Sequence, residues 1–76
     1  MIGTMDKEAA AQFRKLIALE PTNARGFIGL ANSLYELDRF RETVEAFDQA
    51  AKLCASCLDE HDRSIHTDAK RLLRGR

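Results

Sequence analysis

Cys54, Cys57, His61 and His66 are the side chains of this sequence with the most chemistry in them. Two thiolates at C-x2-C followed by two imidazoles form the donor set of a tetrahedral zinc site. Zinc fingers put about twelve residues between the cysteine pair and the histidine pair, so that two elements converge on the metal. Here three residues separate Cys57 from His61. On one continuous helix, at about 100° per residue, Cys54, Cys57 and His61 share a face and His66 lies off it. The competing reading makes Cys54 a small apolar residue at a helix end, Cys57 a first-turn residue of the next helix, and both histidines surface groups. That second reading is the one expected, with no metal and no cofactor.

The tetrapeptide Cys54-Ala55-Ser56-Cys57 also suits thiol redox chemistry, because a helix N-terminus favours a thiolate. Thioredoxin-like folds set such a pair after a strand in a βαβ unit, and no strand pattern precedes this one. Two cysteines are too few for the usual disulfide framework of a small secreted domain, so reduced thiols are expected. Leu58 follows Cys57 where c-type haem attachment needs histidine. No phosphate-binding glycine loop, nucleophile elbow or H-E-x-x-H motif occurs, and no enzymatic activity is expected.

Charge narrows the partners. Twelve Lys and Arg balance twelve Asp and Glu, so no molecular field draws the chain to nucleic acid or an anionic membrane. Lys70, Arg71, Arg74 and Arg76 cluster without an acid. Cations there complement a helix C-terminus, and no interleaved aromatic offers a base a stacking platform. Met1 and Ile2 are the whole apolar run before Gly3, too little for a signal peptide or a membrane span, so a cytoplasmic location is expected.

The elements that must position these residues are helices. Ala, Leu, Arg, Lys and Glu dominate, and alternating β-branched runs are missing. From Asp6 to Leu19, Ala9, Phe13, Leu16 and Ile17 recur at spacings of 3 and 4, with Thr4 as N-cap and Pro21 as the stop. Thr22 or Asn23 caps a second helix carrying Phe27, Leu30, Ala31, Leu34 and Leu37. Asp38 is expected to cap a third, with Phe40, Val44, Phe47, Ala50 and Ala51, running to about Leu53. A fourth is expected from Ser56, where Ser56 and Asp59 form an S-x-x-D signal, to Gly75. Gly26 and Gly29, three apart within the second helix, cost about 1 kcal/mol each against alanine and are expected to permit close helix approach.

The first and third helices repeat each other at a period of 34: Phe13 recurs as Phe47, Leu19 as Leu53, Glu8 as Glu42 and Lys7 as Arg41. That period belongs to the tetratricopeptide repeat, with its pattern W-x2-L-G-x2-Y, A-x3-F, P. The segment 24–57 resembles one complete repeat, with Phe27, Leu30, Ala31, Leu34, Thr43, Phe47 and Ala55 on the pattern positions. Thr43 stands in place of the small alanine and Ala55 in place of the closing proline. Residues 6–19 resemble the second helix of a preceding repeat, and 58–74 a polar closing helix whose Ile65, Ala69 and Leu72 fit after a shift of about four residues.

This resemblance implies one all-α domain over 1–76, a right-handed superhelical fragment of four helices in antiparallel pairs, acting as a non-enzymatic scaffold for a peptide or helix of a partner protein. On that basis the contact residues are Arg25, Ile28, Asn32 and Tyr35 on the second helix and Asp62, Arg63 and His66 on the last. Arg25 and Arg63 suit carboxylates, Asn32 a peptide backbone, Ile28 and Tyr35 apolar contact. Some members clamp a terminal carboxylate with a lysine one turn from an asparagine; Ile28 occupies that lysine position beside Asn32. The first helix, lacking a preceding partner, is expected to offer Ala10, Phe13 and Ile17 to a second copy in a homodimer, or to a foreign helix, with Met1 and Ile2 folding back over part of it.

Overall fold

Pro21 and Asp38 interrupt what is otherwise nearly continuous helical sequence, and the chain turns at each. A computed structural model describes residues 2–75, with side chains described from residue 6 onward. Four α-helices make an all-α fold: α1 (Ile2–Leu19), α2 (Ala24–Glu36), α3 (Phe40–Cys54) and α4 (Glu60–Arg74), with a single 3-10 turn at Ala55–Cys57 and no strand among the described residues. The molecule is a slab, 35 × 32 × 18 Å, so most helices lie near a solvent face.

Side-chain pairs fix the helix directions. Phe13 lies against Gly29 and Ile17 against Gly26, so numbering rises along α1 as it falls along α2, and the two are antiparallel. A Cβ on Gly29 would fall within the Phe13 ring, and one on Gly26 would come to 2.9 Å from Ile17 Cγ1. The glycines thus permit the close approach expected of them. Asn32 meets Asp62 and Tyr35 meets Asp68, so α2 and α4 run parallel. Phe47 is fully enclosed, and Leu34, Ala31 and Ala50 share its core. The small residues Ala31 and Ala50 sit where α2 and α3 pack side by side.

Local chemistry sets the ends. Asn23 caps α2, its side chain accepting from Arg25 N at 3.0 Å. At the other end of α2, Asp38 takes the left-handed conformation (φ 60°), Asp38 N donates to Tyr35 O and Arg39 N to Leu34 O. These two bonds are the Schellman arrangement, usually built on glycine. Asp38 is therefore a C-terminal residue of α2 rather than the cap of α3; Arg39 stands at that cap without a side-chain bond. Thr43, enclosed in the core, satisfies its hydroxyl by donating to Arg39 O at 2.7 Å, which is how a threonine fits a position expected to hold alanine.

Four further expectations are corrected. Thr4 does not cap α1, because the helix already begins at Ile2. The expected return of Ile2 over α1 is excluded by the same fact, and Met1 and Arg76 lie outside the described residues. Ser56 does not cap α4: burial of Leu58 pins the chain after the 3-10 turn, and the cap falls at Asp59, which accepts from Asp62 N at 2.8 Å while Asp62 accepts from Asp59 N at 3.3 Å. Ala10, expected on an open face, is 1% exposed within the core, and Phe13 and Ile17 pack against that core through α2. The antiparallel seating of α1 turns Ala10 inward and leaves Phe13 and Ile17 partly exposed. Among the described residues the exposed large hydrophobics are Leu19 and Leu53, the pair that coincides at the 34-residue offset.

Candidate functional site

An open groove of about 500 Å³ runs along α4 where Tyr35 of α2 meets it, lined on α4 by Glu60, His61, Arg63, Ile65, Asp68 and Arg71 among others. The α4 capping box fixes the rotation of that helix, and hence which of its side chains reach the groove.

At the far end of the groove, Tyr35 OH donates to Asp68 Oδ2 at 2.5 Å, and Arg71 Nη2 pairs with Asp68 Oδ1 one turn further on. The bond from Tyr35, then that from Arg71, holds the Asp68 carboxyl below the usual carboxylate range. Donation to Asp68 in turn, with desolvation second, raises the Tyr35 phenol above its ordinary value. Tyr35 is further held edge-on to Phe40, with ring centroids 5.7 Å apart. The result is a rigid amphipathic wall: an aromatic face beside a fixed charge pair.

Of the seven contact residues expected from sequence, the structure brings Tyr35 and Arg63 to this groove. Asn32 and Asp62 are corrected. Asn32 donates to Ile28 O at 2.9 Å and to Asp62 Oδ1 at 3.2 Å, and Asp62 is buried as part of the α4 cap; both tie α2 to α4. Ile28 packs against the core. His66 is turned to α3, its Nε2 3.0 Å from Asp48 Oδ1 and its ring 5.2 Å from that of Phe47. Arg25 stays exposed in the first turn of α2. Sequence reading missed His61, Asp68 and Arg71 as groove residues. The i, i+3 spacing of Asp68 and Arg71 is the signal that an ion pair forms there.

The cysteines depart from expectation most. Cys54 and Cys57 form a disulfide rather than two free thiols. The 3-10 turn between them draws their Cα atoms to 5.3 Å, within bridging range. Sulfurs bonded to each other are not thiolate ligands, and no group of three or more His, Cys, Asp or Glu side chains gathers for a metal among the described residues.

A second groove, of about 260 Å³, lies over α2 between α1 and α3, floored by Phe27, Leu30 and Leu34 and rimmed by Arg14, Glu42 and Glu45. No helix among the described residues is long and apolar enough to cross a membrane. No family model, curated protein or solved structure matches the chain.

Proposed function

We propose that this chain is a non-enzymatic, cytoplasmic scaffold of tetratricopeptide-like helix pairs that binds a short extended segment of a partner protein in the groove along α4 where Tyr35 of α2 meets it. The observation that supports this reading most is the makeup of that groove: an open channel with an ordered aromatic, Tyr35, an aliphatic floor at Ile65 and an exposed cation, Arg63. Peptide sites combine apolar anchoring with a few placed polar groups in this way. Asp68 is occupied by Tyr35 and Arg71, which leaves Arg63 to meet a carboxylate on the bound segment. The occupant proposed for this groove is a foreign segment; a second copy docked on α1 is a separate reading, in which Ala10 is already buried while Phe13 and Ile17 keep part of their surface exposed.

Selection of displayed random peptides against the folded protein tests this. Enriched sequences are expected to pair an acidic residue with an apolar one, to shift amide resonances of α2 and α4, and to lose about tenfold in affinity with Arg63→Ala, the scale of one charge-assisted bond. Enriched peptides that shift only α1 and α3, or that ignore Arg63→Ala, refute the proposed groove.

A further inference from the structure

The joint between α3 and α4 carries a group that peptide binding does not use. A cross-link stabilises a protein by restricting its unfolded chain, and the restriction grows with the length of the loop closed. The bond from Cys54 to Cys57 spans two intervening residues, so it restrains little. The segment is also held without it. Leu58 is buried immediately after the turn, Leu58 N donates to Ala55 O at 3.4 Å, and the Asp59–Asp62 capping box starts α4 independently. As a staple the bond is redundant, yet it is open to solvent: Ala55, Ser56 and Cys57 are exposed and Cys54 is half-buried.

We infer that Cys54–Cys57 is a reversible thiol–disulfide exchange site whose co-reactant is a dithiol of neutral or positive charge. The incoming thiolate attacks Sγ of Cys57, the more exposed of the two residues. A bond forms between the two sulfurs as the Cys54–Cys57 bond breaks, and its electron pair leaves on Cys54 Sγ. Ser56 Oγ lies 3.6 Å from that sulfur and donates to the departing thiolate, which then takes a proton from water. The second thiolate of the co-reactant attacks its own sulfur in the mixed disulfide and releases Cys57, which is protonated in turn. The co-reactant dithiol is oxidised by two electrons to a disulfide, and the chain's disulfide is reduced to two thiols. In the reverse direction Cys57 attacks a substrate disulfide and Cys54 resolves the mixed species.

Charge selects the co-reactant. Asp59 and Glu60, both exposed within three residues of Cys57, outnumber the exposed Lys52 two residues before Cys54, and a thiol carrying carboxylates meets their net repulsion. The inference does not rest on the groove binding a partner.

The native protein, oxidised, is incubated with dithiothreitol without denaturant, quenched with acid, alkylated and weighed, with circular dichroism followed in parallel. Two thiols are expected to appear while helicity holds. Reduction only after unfolding would make the bond a structural staple and overturn the inference. Reduced Cys54→Ser and Cys57→Ser proteins are then treated with cystamine, which is cationic, and with glutathione disulfide, which is anionic. Cys54→Ser, retaining the exposed sulfur, is expected to form the mixed disulfide at least about fivefold faster than Cys57→Ser. Added salt is expected to slow cystamine and speed glutathione disulfide. Equal rates for the two variants, or a salt effect of one sign on both reagents, would refute the assigned order and the charge selection. Should either variant fail to fold, mapping the first cysteine modified in reduced native protein settles the order in its place.

Discussion

The two flanking helices are seated by different physics. α1 is held by shape: the Phe13 ring lies over Gly29 and Ile17 over Gly26, and its polar tie to another helix among the described residues is the exposed pair of Arg14 with Glu42 at 3.5 Å. α4 buries Ile65 and Ala69 but adds three hydrogen bonds to other helices, from Asn32 to Asp62, from Tyr35 to Asp68 and between His66 and Asp48. A helix with few large apolar residues is fixed in place by directional bonds, and those bonds depend on ionisation. Apolar interlock does not. Phe13 and Phe47, which coincide at the 34-residue offset, show the same asymmetry from within. Phe47 is enclosed, with α2 on one side and the His66 ring of α4 on another, whereas Phe13 has α2 against it and stays half-exposed. Burial at equivalent positions is decided by the number of neighbouring helices.

The largest effect should fall on that pair. Phe47→Ala is expected to cost about 3–5 kcal/mol, since a full ring is lost and a cavity left. A chain of this length has a stability of roughly 4–11 kcal/mol, so the variant is expected to be largely unfolded by modest urea. Phe13→Ala should cost less, because part of its surface is already exposed. Equal losses in denaturant titrations would mean that α1 has a second neighbour in solution.

Gly29→Ala comes next. Alanine gains about 1 kcal/mol in helix propensity, but the new methyl displaces the Phe13 ring, and overpacking of this kind costs about 1–3 kcal/mol. A net loss is expected at Gly29. Gly26→Ala brings a methyl to 2.9 Å from Cγ1 of the stiff, β-branched Ile17 and should also lose stability, though less than Gly29→Ala, where three ring atoms lie within 2.5 Å. In a double-mutant cycle, Phe13→Ala should abolish the penalty at Gly29, because nothing remains to clash. If the penalty persists, the notch is not what seats α1.

Which parts of this arrangement can be read from sequence follows the same division. The apolar periods locate all four helices, and the glycine pair in α2 signals its tight seam, because volume and spacing are properties of residue type. Polar placement depends on a few degrees of helix rotation. Asn32, Asp62 and His66 have the composition of a binding face, yet they tie helices together, since the cap of α4 sits at Asp59 instead of Ser56. Asp38 has the residue type of an N-cap, but its left-handed backbone ends α2. The spacing of Cys54 and Cys57 states that the sulfurs are near each other without stating the turn that joins them. Leu58 reads in the sequence as one more apolar residue of the last helix, whereas its burial lies just before that helix and pins the turn.

Titration separates the two seams more gently. The folded state prefers Asp68 as carboxylate, because the bonds from Tyr35 and Arg71 lower its pKa. Its contribution is therefore complete above the ordinary carboxylate range, and is lost as pH falls through that range to the lower value in the fold. Tyr35, raised, prefers the neutral phenol; its contribution is complete below about 10 and is lost as pH climbs beyond it. Amide exchange should show α4 losing protection before α1 in acid, and Tyr35→Phe should diminish that difference. Loss of protection in α1 first would reverse the assignment of polar and apolar seams.

The smallest effect belongs to the polar tie of α1. Arg14 and Glu42 are about half exposed at 3.5 Å, and Glu42 has a second cation, Arg39, at 3.6 Å. Exposed pairs of this geometry are worth about 0.2–1 kcal/mol, and a carboxylate with two partners loses little when one departs. Arg14→Ala combined with Glu42→Ala in a thermodynamic cycle should give a coupling at the low end of that range, falling further in high salt. A coupling well above about 1 kcal/mol would place a strong polar bond at the α1 seam and erase the distinction between the two flanking helices; a weak, salt-sensitive one leaves glycine and phenylalanine as what holds α1.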